Sequence, residues 1–154
     1  MRRRDFIAGL GSAAVWPVVA RAQQPDRVRR IGVLMPFEEN DALAKSQVSA
    51  FTKALAGLGW TVDRNVRMDV RSYGDNINRI PALAQGLVGL QPDIIVTATT
   101  AATVGVQRET RTIPIVFVNL ADPVASGIVA RLDRPSGNVT GFRHLRSVAG
   151  RQVA

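Results

Sequence analysis

The chain of 154 residues has no cysteine, which excludes disulfides, thiolate metal sites and a cysteine nucleophile but leaves the compartment open. Histidine occurs once, at His144, and no H-E-x-x-H, G-x-S-x-G or G-K-[ST] motif is present. No G-x-G-x-x-G follows the first apolar run, so a dinucleotide is not expected. Neither a cofactor nor a metal is assigned, and an enzyme is the weaker reading. Aromatic residues make up only 5% of the chain, so the core is expected to be built from Val, Ile, Leu and Ala. A basic run of five residues is also lacking outside the N-terminus. Of the net charge of +8, Arg2, Arg3, Arg4 and Arg21 less Asp5 place +3 in the first 22 residues, leaving +5 thinly spread. Affinity for phosphates needs a patch, so nucleic acid is not an expected partner.

What is present is the balance of a globular protein, 46% hydrophobic and 21% charged, long enough for one domain with a real core. The opening MRRRDFIAGLGSAAVWPVVARA has the parts of an export signal. These are a charged Arg2-Arg3-Arg4, an apolar stretch from Phe6 to Val19, and an A-x-A cleavage site at Ala20-Arg21-Ala22. The stretch is too short and too glycine-rich for a good membrane span. Arg3-Arg4-Asp5-Phe6-Ile7 resembles the twin-arginine motif, a receptor-read address found in bacteria. Residues 1–22 are therefore expected to be a signal peptide and the mature protein, from about Gln23, to be periplasmic. The alternative is a basic N-terminal core helix.

From Arg30 onward, short apolar runs alternate with helical patterns. Arg30–Met35, Ile94–Ala98 and Ile115–Asn119 read as buried strands, bounded by Pro36, Pro92 and Pro114. Val66–Arg71 alternates apolar and charged residues, the period of a half-buried strand near a sheet edge. Helices are expected from Asp41 to about Leu58, with Leu43, Val48, Phe51, Leu55 and Leu58 facing inward, from Ile77 to Leu90, and from Ala101 to Glu109. Ala125–Leu132 suits a short helix, and Val139-Thr140 opens a fifth strand. The fold class is thus α/β, an open parallel sheet with crossover helices.

Ligands of such sheets bind beyond the carboxyl ends of the strands, which singles out loops 36–41, 99–102 and 120–125. Thr99, Thr100 and Ala101 join a buried strand to a helix start, where free N–H groups and the helix dipole favour a carboxylate. The competing reading is a threonine N-cap with no ligand. Asp122 either accepts bonds from a ligand or fixes the turn before Pro123. Phe37 either stacks on a ligand or covers the sheet end.

The order I-G-V-L, P-D-I-I-V-T-A-T-T-A-A and I-P-I-V-F-V-N-L-A-D-P-V-A-S-G-I-V-A-R-L-D-R-P-S-G-N-V-T-G-F resembles the substrate-binding proteins of bacterial ABC transporters. The similar subfamily has a type I periplasmic-binding fold related to tryptophan/tyrosine-binding proteins. The resemblance covers Arg30 to about Phe142. It implies two α/β lobes with a small-molecule ligand between them, a membrane ABC permease as partner, and a monomer. Carried onto this sequence, it places ligand contacts at Thr99, Thr100 and Ala101, at Asn119, Asp122 and Pro123, and at Pro36 and Phe37. A ligand-sensing domain of a signalling system and a small α/β enzyme remain as alternatives.

Residues 23–142 then form the N-terminal lobe. Similar proteins continue past G-N-V-T-G-F with a stretch like S-x-F-E-x-S-L-G-G-K-W, whereas residues 143–154 read R-H-L-R-S-V-A-G-R-Q-V-A. With suitable codons, reading those bases one position later gives T-F-E-A-S-L-G-G-K-W. A frameshift near Arg143 is expected, with a disordered tail, a missing second lobe and impaired binding.

Overall fold

The computed structural model describes residues 27–120, 122–131 and 137–143. Residues 1–22, expected from sequence to be a signal peptide, and the tail from His144 onward lie outside them. The apolar runs form five strands: β1 (Arg29–Met35), β2 (Val66–Ser72), β3 (Ile94–Thr97), β4 (Ile115–Leu120) and β5 (Val139–Arg143). They pair in the order β2-β1-β3-β4-β5, every pair parallel. This is the open parallel sheet expected from the pattern. Arg143, placed in the tail by sequence, is the last residue of β5.

Parallel strands need crossovers, and those from β1 through β4 are α1 (Ala42–Gly57), α2 (Ile80–Gly89) and α3 (Thr100–Glu109). The chain moves from β1 outward to β2, then back past β1 to β3 and β4. Crossovers of one hand in opposite directions lie on opposite faces of the sheet. The side chains follow. Leu34, Ile95, Ile115, Phe117 and Val139 pack with Ala84 and Leu87 of α2 and Ala102 and Val106 of α3. Ile31, Val33, Met35 and Val66 pack on the other face with Val48, Phe51 and Leu55 of α1. Successive strand residues alternate between the two clusters, as the two-residue period demands.

β2 is the edge strand its alternation indicates, with Arg67 and Arg71 exposed. Pro81 sits in the first turn of α2, where its missing N–H leaves no bond unmade. Two expected core positions of α1 are not core. Leu43 is 52% exposed because it falls off the stripe set by Val48, Phe51 and Leu55, and Leu58 is 77% exposed because it lies past the end of α1 as its C-cap. The short helix expected at 125–132 is also absent over its described part. Residues 123–127 form turns, in which Ile128 and Val129 both donate to the Pro123 carbonyl. Gly127, at φ +68°, takes the left-handed conformation that ends such a turn before a helix can propagate.

The β4–β5 pairing has a steric condition. A Cβ on Gly141 would lie 2.1 Å from the Phe117 carbonyl oxygen and 2.6 Å from the ring's Cγ. Only glycine lets β5 approach β4 beside that ring.

Asp93, just before β3, ties down the start of β1. Its carboxylate accepts from the Arg30 backbone N–H at 2.8 Å and from the Arg29 guanidinium at 3.0 Å, with Arg27 at 3.3 Å. Asp69 of β2 accepts from Arg30 Nε at 2.6 Å. The Arg30 backbone N–H holds the Asp93 carboxyl below the ordinary carboxylate range, helped by Arg29 and Arg27. The Arg30 side-chain bond, aided by Arg67 and Arg71, does the same for Asp69. Carboxyls depressed on folding stabilise the fold above their unfolded pKa and lose that contribution as pH falls through the lowered value. Wild type is therefore expected to lose melting temperature below about pH 4, near the unperturbed aspartate value. Asp69→Asn and Asp93→Asn are expected to start lower at pH 7 and converge on wild type in acid. Thermal melts from pH 7 to pH 2 check this, and parallel curves for wild type and both variants would contradict it.

Candidate functional site at the carboxyl ends of the strands

Strand order reverses at β1, whose neighbours β2 and β3 are reached in opposite directions. Open α/β sheets bind ligands outside the carboxyl ends at such a switch point. β1, β3 and β4 are adjacent or next-adjacent there. The loops carrying Pro36 and Phe37, Thr99 to Ala101, and Asn119 to Pro123 consequently share one end of the sheet.

At the centre, β3 runs through Ala98 into Thr99, the N-cap of α3. Thr99 is extended, at φ −143° and ψ 159°, and its Oγ1 accepts from the Ala102 N–H at 3.2 Å. Its carbonyl accepts from the Thr103 N–H at 3.0 Å and the Thr103 hydroxyl at 2.7 Å. Thr103, whose proton is used there, accepts from the buried Thr97 hydroxyl at 2.8 Å. The junction is thus clamped from inside, and Thr99 fills the N-cap role that competed with a ligand role. Capping uses one of the free N–H groups of the first turn. Those of Thr100 and Ala101 make no bond to another described residue. Both residues are exposed, with a donor pair at the positive end of a ten-residue helix.

The flanking residues differ in what they offer. Asn119 ends the regular part of β4 at φ +61°, exposed, at a register shift between Val118 and Leu120. Non-glycine residues rarely hold that conformation, asparagine being among the most tolerant, and such strain concentrates at functional sites. Asp122 is exposed, but its Oδ1 accepts from the N–H groups of Val124 and Ala125 at 3.2 and 2.9 Å. That is the turn-fixing role. Pro123 is fully buried and its carbonyl holds two N–H groups, which leaves it no surface toward a ligand among the described residues. Phe37 packs, half-buried, against the Ile31–Val33–Met35–Val66 cluster, so it covers the sheet end. Pro36 is half-exposed beside it.

Tyr73 belongs to this end and was not singled out from the sequence. It follows β2, is 3% exposed, and its hydroxyl lies 2.7 Å from Thr99 Oγ1. Its neighbour Gly74, at φ +57°, carries the Glu38 side chain close over its Cα. The available signal was slight: Tyr73 is the only tyrosine, placed where the alternation of β2 stops.

Concavity alone points elsewhere. A groove of about 450 Å³ lies along α1 and the edge strand, lined by residues including Lys45, Arg71, Arg79 and Leu83. A smaller apolar hollow, about 150 Å³, sits under the ends of β1, β3 and β4 and reaches Thr97 and Ala98. The α3 start is an open wall beside this hollow, not an enclosed pocket. Among the described residues no group of three or more His, Asp or Glu is placed to hold a metal.

Residues 30–152 match the family of ABC transporter substrate binding proteins. A tyrosine-binding protein of Clostridioides difficile (strain R20291) is 29% identical over 110 residues, covering 71% of this chain and 32% of that protein. The ligand-free, open structure of a substrate binding protein with adhesive properties from Clostridium difficile superposes with a TM-score of 0.70 at 26% identity. It covers 79% of this chain and 40% of that one. The ABC domain in complex with L-Trp from Streptococcus pneumonia gives 0.67 at 25% identity, over 75% of this chain and 38% of that one. The chain spans about a third to two-fifths of the length of these relatives.

Proposed function

We propose that this chain, which belongs to the family of ABC transporter substrate binding proteins, binds an amino acid through its carboxylate at the start of α3. Thr99, Thr100 and Ala101 are the residues that hold it. The observation that carries this reading is the exposed pair of N–H groups at the switch point of the sheet, on a strand–helix junction clamped from inside. A tyrosine-binding relative and a neighbour bound to L-Trp support an aromatic amino acid as the solute. Asn119, exposed and strained on the next loop, is the second contact. In this reading the protein works outside the cytoplasm as a monomer, delivers its solute to an ABC permease for import, and is addressed there by its Arg3-Arg4 segment.

Calorimetry of the purified protein with L-tryptophan, L-tyrosine and tryptamine tests this. Tryptamine keeps the indole and the amine but lacks the carboxylate. It is expected to bind at least about tenfold more weakly than L-tryptophan, since a charge-assisted hydrogen-bond set is lost. Equal binding of tryptamine, or binding of neither amino acid, would overturn the reading.

A further inference from the structure

We infer that Tyr73 is a positioning residue that turns the Thr99 hydroxyl proton outward, so that the start of α3 presents donors only. The inference rests on the carboxylate reading above and goes beyond it by naming what makes the site selective for an anion over an amide or an amine.

The direction of the bond follows from elimination. The two oxygens are 2.7 Å apart and either hydroxyl is chemically able to donate. Tyr73 is 3% exposed, and its hydroxyl has no other hydrogen-bond partner among the described residues. Were Thr99 the donor, the phenolic proton would be left in the interior without an acceptor, at the desolvation cost of an unsatisfied donor. With Tyr73 as donor that cost disappears. Thr99 Oγ1 then accepts twice, from Tyr73 and from the Ala102 N–H at 3.2 Å. A hydroxyl has two acceptor sites and one proton. Both acceptor sites are filled, so Thr99 has only its proton left to offer.

Thr99 is half-buried, while Thr100 and Ala101 beside it are exposed. The outward-facing set is therefore one O–H and two N–H groups, with no lone pair among them. A carboxylate satisfies all three. A primary amide brings N–H groups that meet only donors, and a protonated amine brings no acceptor that they can bond. Tyr73 reaches this position from the end of β2, 26 residues earlier in the chain, and it acts through Thr99 without being required to touch the ligand itself.

Because Tyr73 is the only tyrosine, a tyrosine label gives a one-residue reporter. In the purified protein carrying labelled tyrosine, NMR is expected to show a slowly exchanging phenolic proton close to Thr99. Tyr73→Phe keeps the ring and removes only the hydroxyl. It is expected to weaken L-tryptophan binding about three- to tenfold, the value of one hydrogen bond, while leaving L-tryptophanamide unchanged. In a Thr99→Val background the same change is expected to have no further effect on binding, which a purely structural tyrosine would not produce.

A protected proton on Thr99 donating to the phenol would overturn the inference, as would a Tyr73→Phe protein that keeps the wild-type preference for L-tryptophan over its amide. If L-tryptophan fails to bind while the phenolic proton is found on the bond to Thr99, the carboxylate reading falls and the assigned direction of the bond stands.

Discussion

Replacing Phe117 by alanine is expected to destabilise the fold by about 3–5 kcal/mol, the usual cost of removing a buried phenylalanine. Phe117 is 1% exposed, and its ring fills the space that the missing Cβ of Gly141 leaves open. It shares a cluster with Ile95, Ile115, Leu87 and Val106, so its loss opens a void between the sheet, α2 and α3. The walls are strand and helix residues already in contact, which limits collapse into the void. Domains of this size have about 5–15 kcal/mol in total, so the variant should unfold at markedly lower denaturant. Phe117→Leu retains much of the volume and should cost less. Chemical denaturation monitored by circular dichroism measures both. A cost below about 1 kcal/mol for the alanine variant would mean that β4 and β5 are not packed as described.

Thr99→Val is expected to damage stability and binding together. Valine has the shape of threonine without the hydroxyl. The N-cap bond to Ala102 is lost, worth about 0.5–2 kcal/mol, and the buried Tyr73 hydroxyl loses its partner, at about 1–3 kcal/mol. The combined cost is about 1.5–5 kcal/mol on those two principles. Ligand affinity should fall at least about tenfold, because one donor disappears and the clamp on the other two loosens. Thr99→Ser keeps the hydroxyl and should restore most of both. The double variant Tyr73→Phe/Thr99→Val should be more stable than Thr99→Val alone, since it removes the orphaned phenol. Thermal melts and calorimetry on the four proteins decide the matter. An unstabilised double variant would contradict the Tyr73–Thr99 bond.

Much of the fold was legible from local pattern because the local chemistry is unambiguous. β1 and β3 are apolar runs bounded by Pro36 and Pro92, and such runs are the signature of strands covered on both faces. β2 declared itself an edge by alternating Arg67, Asp69 and Arg71 with Val66, Met68 and Val70. The start of α3 was placed within one residue, since Thr99 is a side-chain cap whose role depends on the three residues that follow it.

What local pattern did not reveal depends on contacts between distant segments. Tyr73 meets Thr99 only because β2 and β3 flank β1, and no spacing in the sequence encodes that. Pro123 looked like a loop residue, yet the turn it opens folds inward and buries it. The residues after Asp122 have a helix-like cap and apolar spacing, but Gly127 stops the turn. Phe37 had two readings, and its packing, half-buried, against the cluster under α1 depends on contacts that no local spacing encodes. That Thr99, Thr100 and Asn119 lie beyond the carboxyl ends of β3 and β4 was legible, because this architecture exposes polar groups there.

The most direct test of the carboxylate site is a backbone amide NMR titration of the protein with L-tryptophan. The expected result is a saturable shift centred on the Thr100 and Ala101 N–H groups, with smaller changes at Thr99 and Asn119. Saturable shifts confined to the groove of Lys45, Arg71 and Arg79, with Thr100 and Ala101 unmoved, would contradict the site and place the ligand on the edge of the sheet instead.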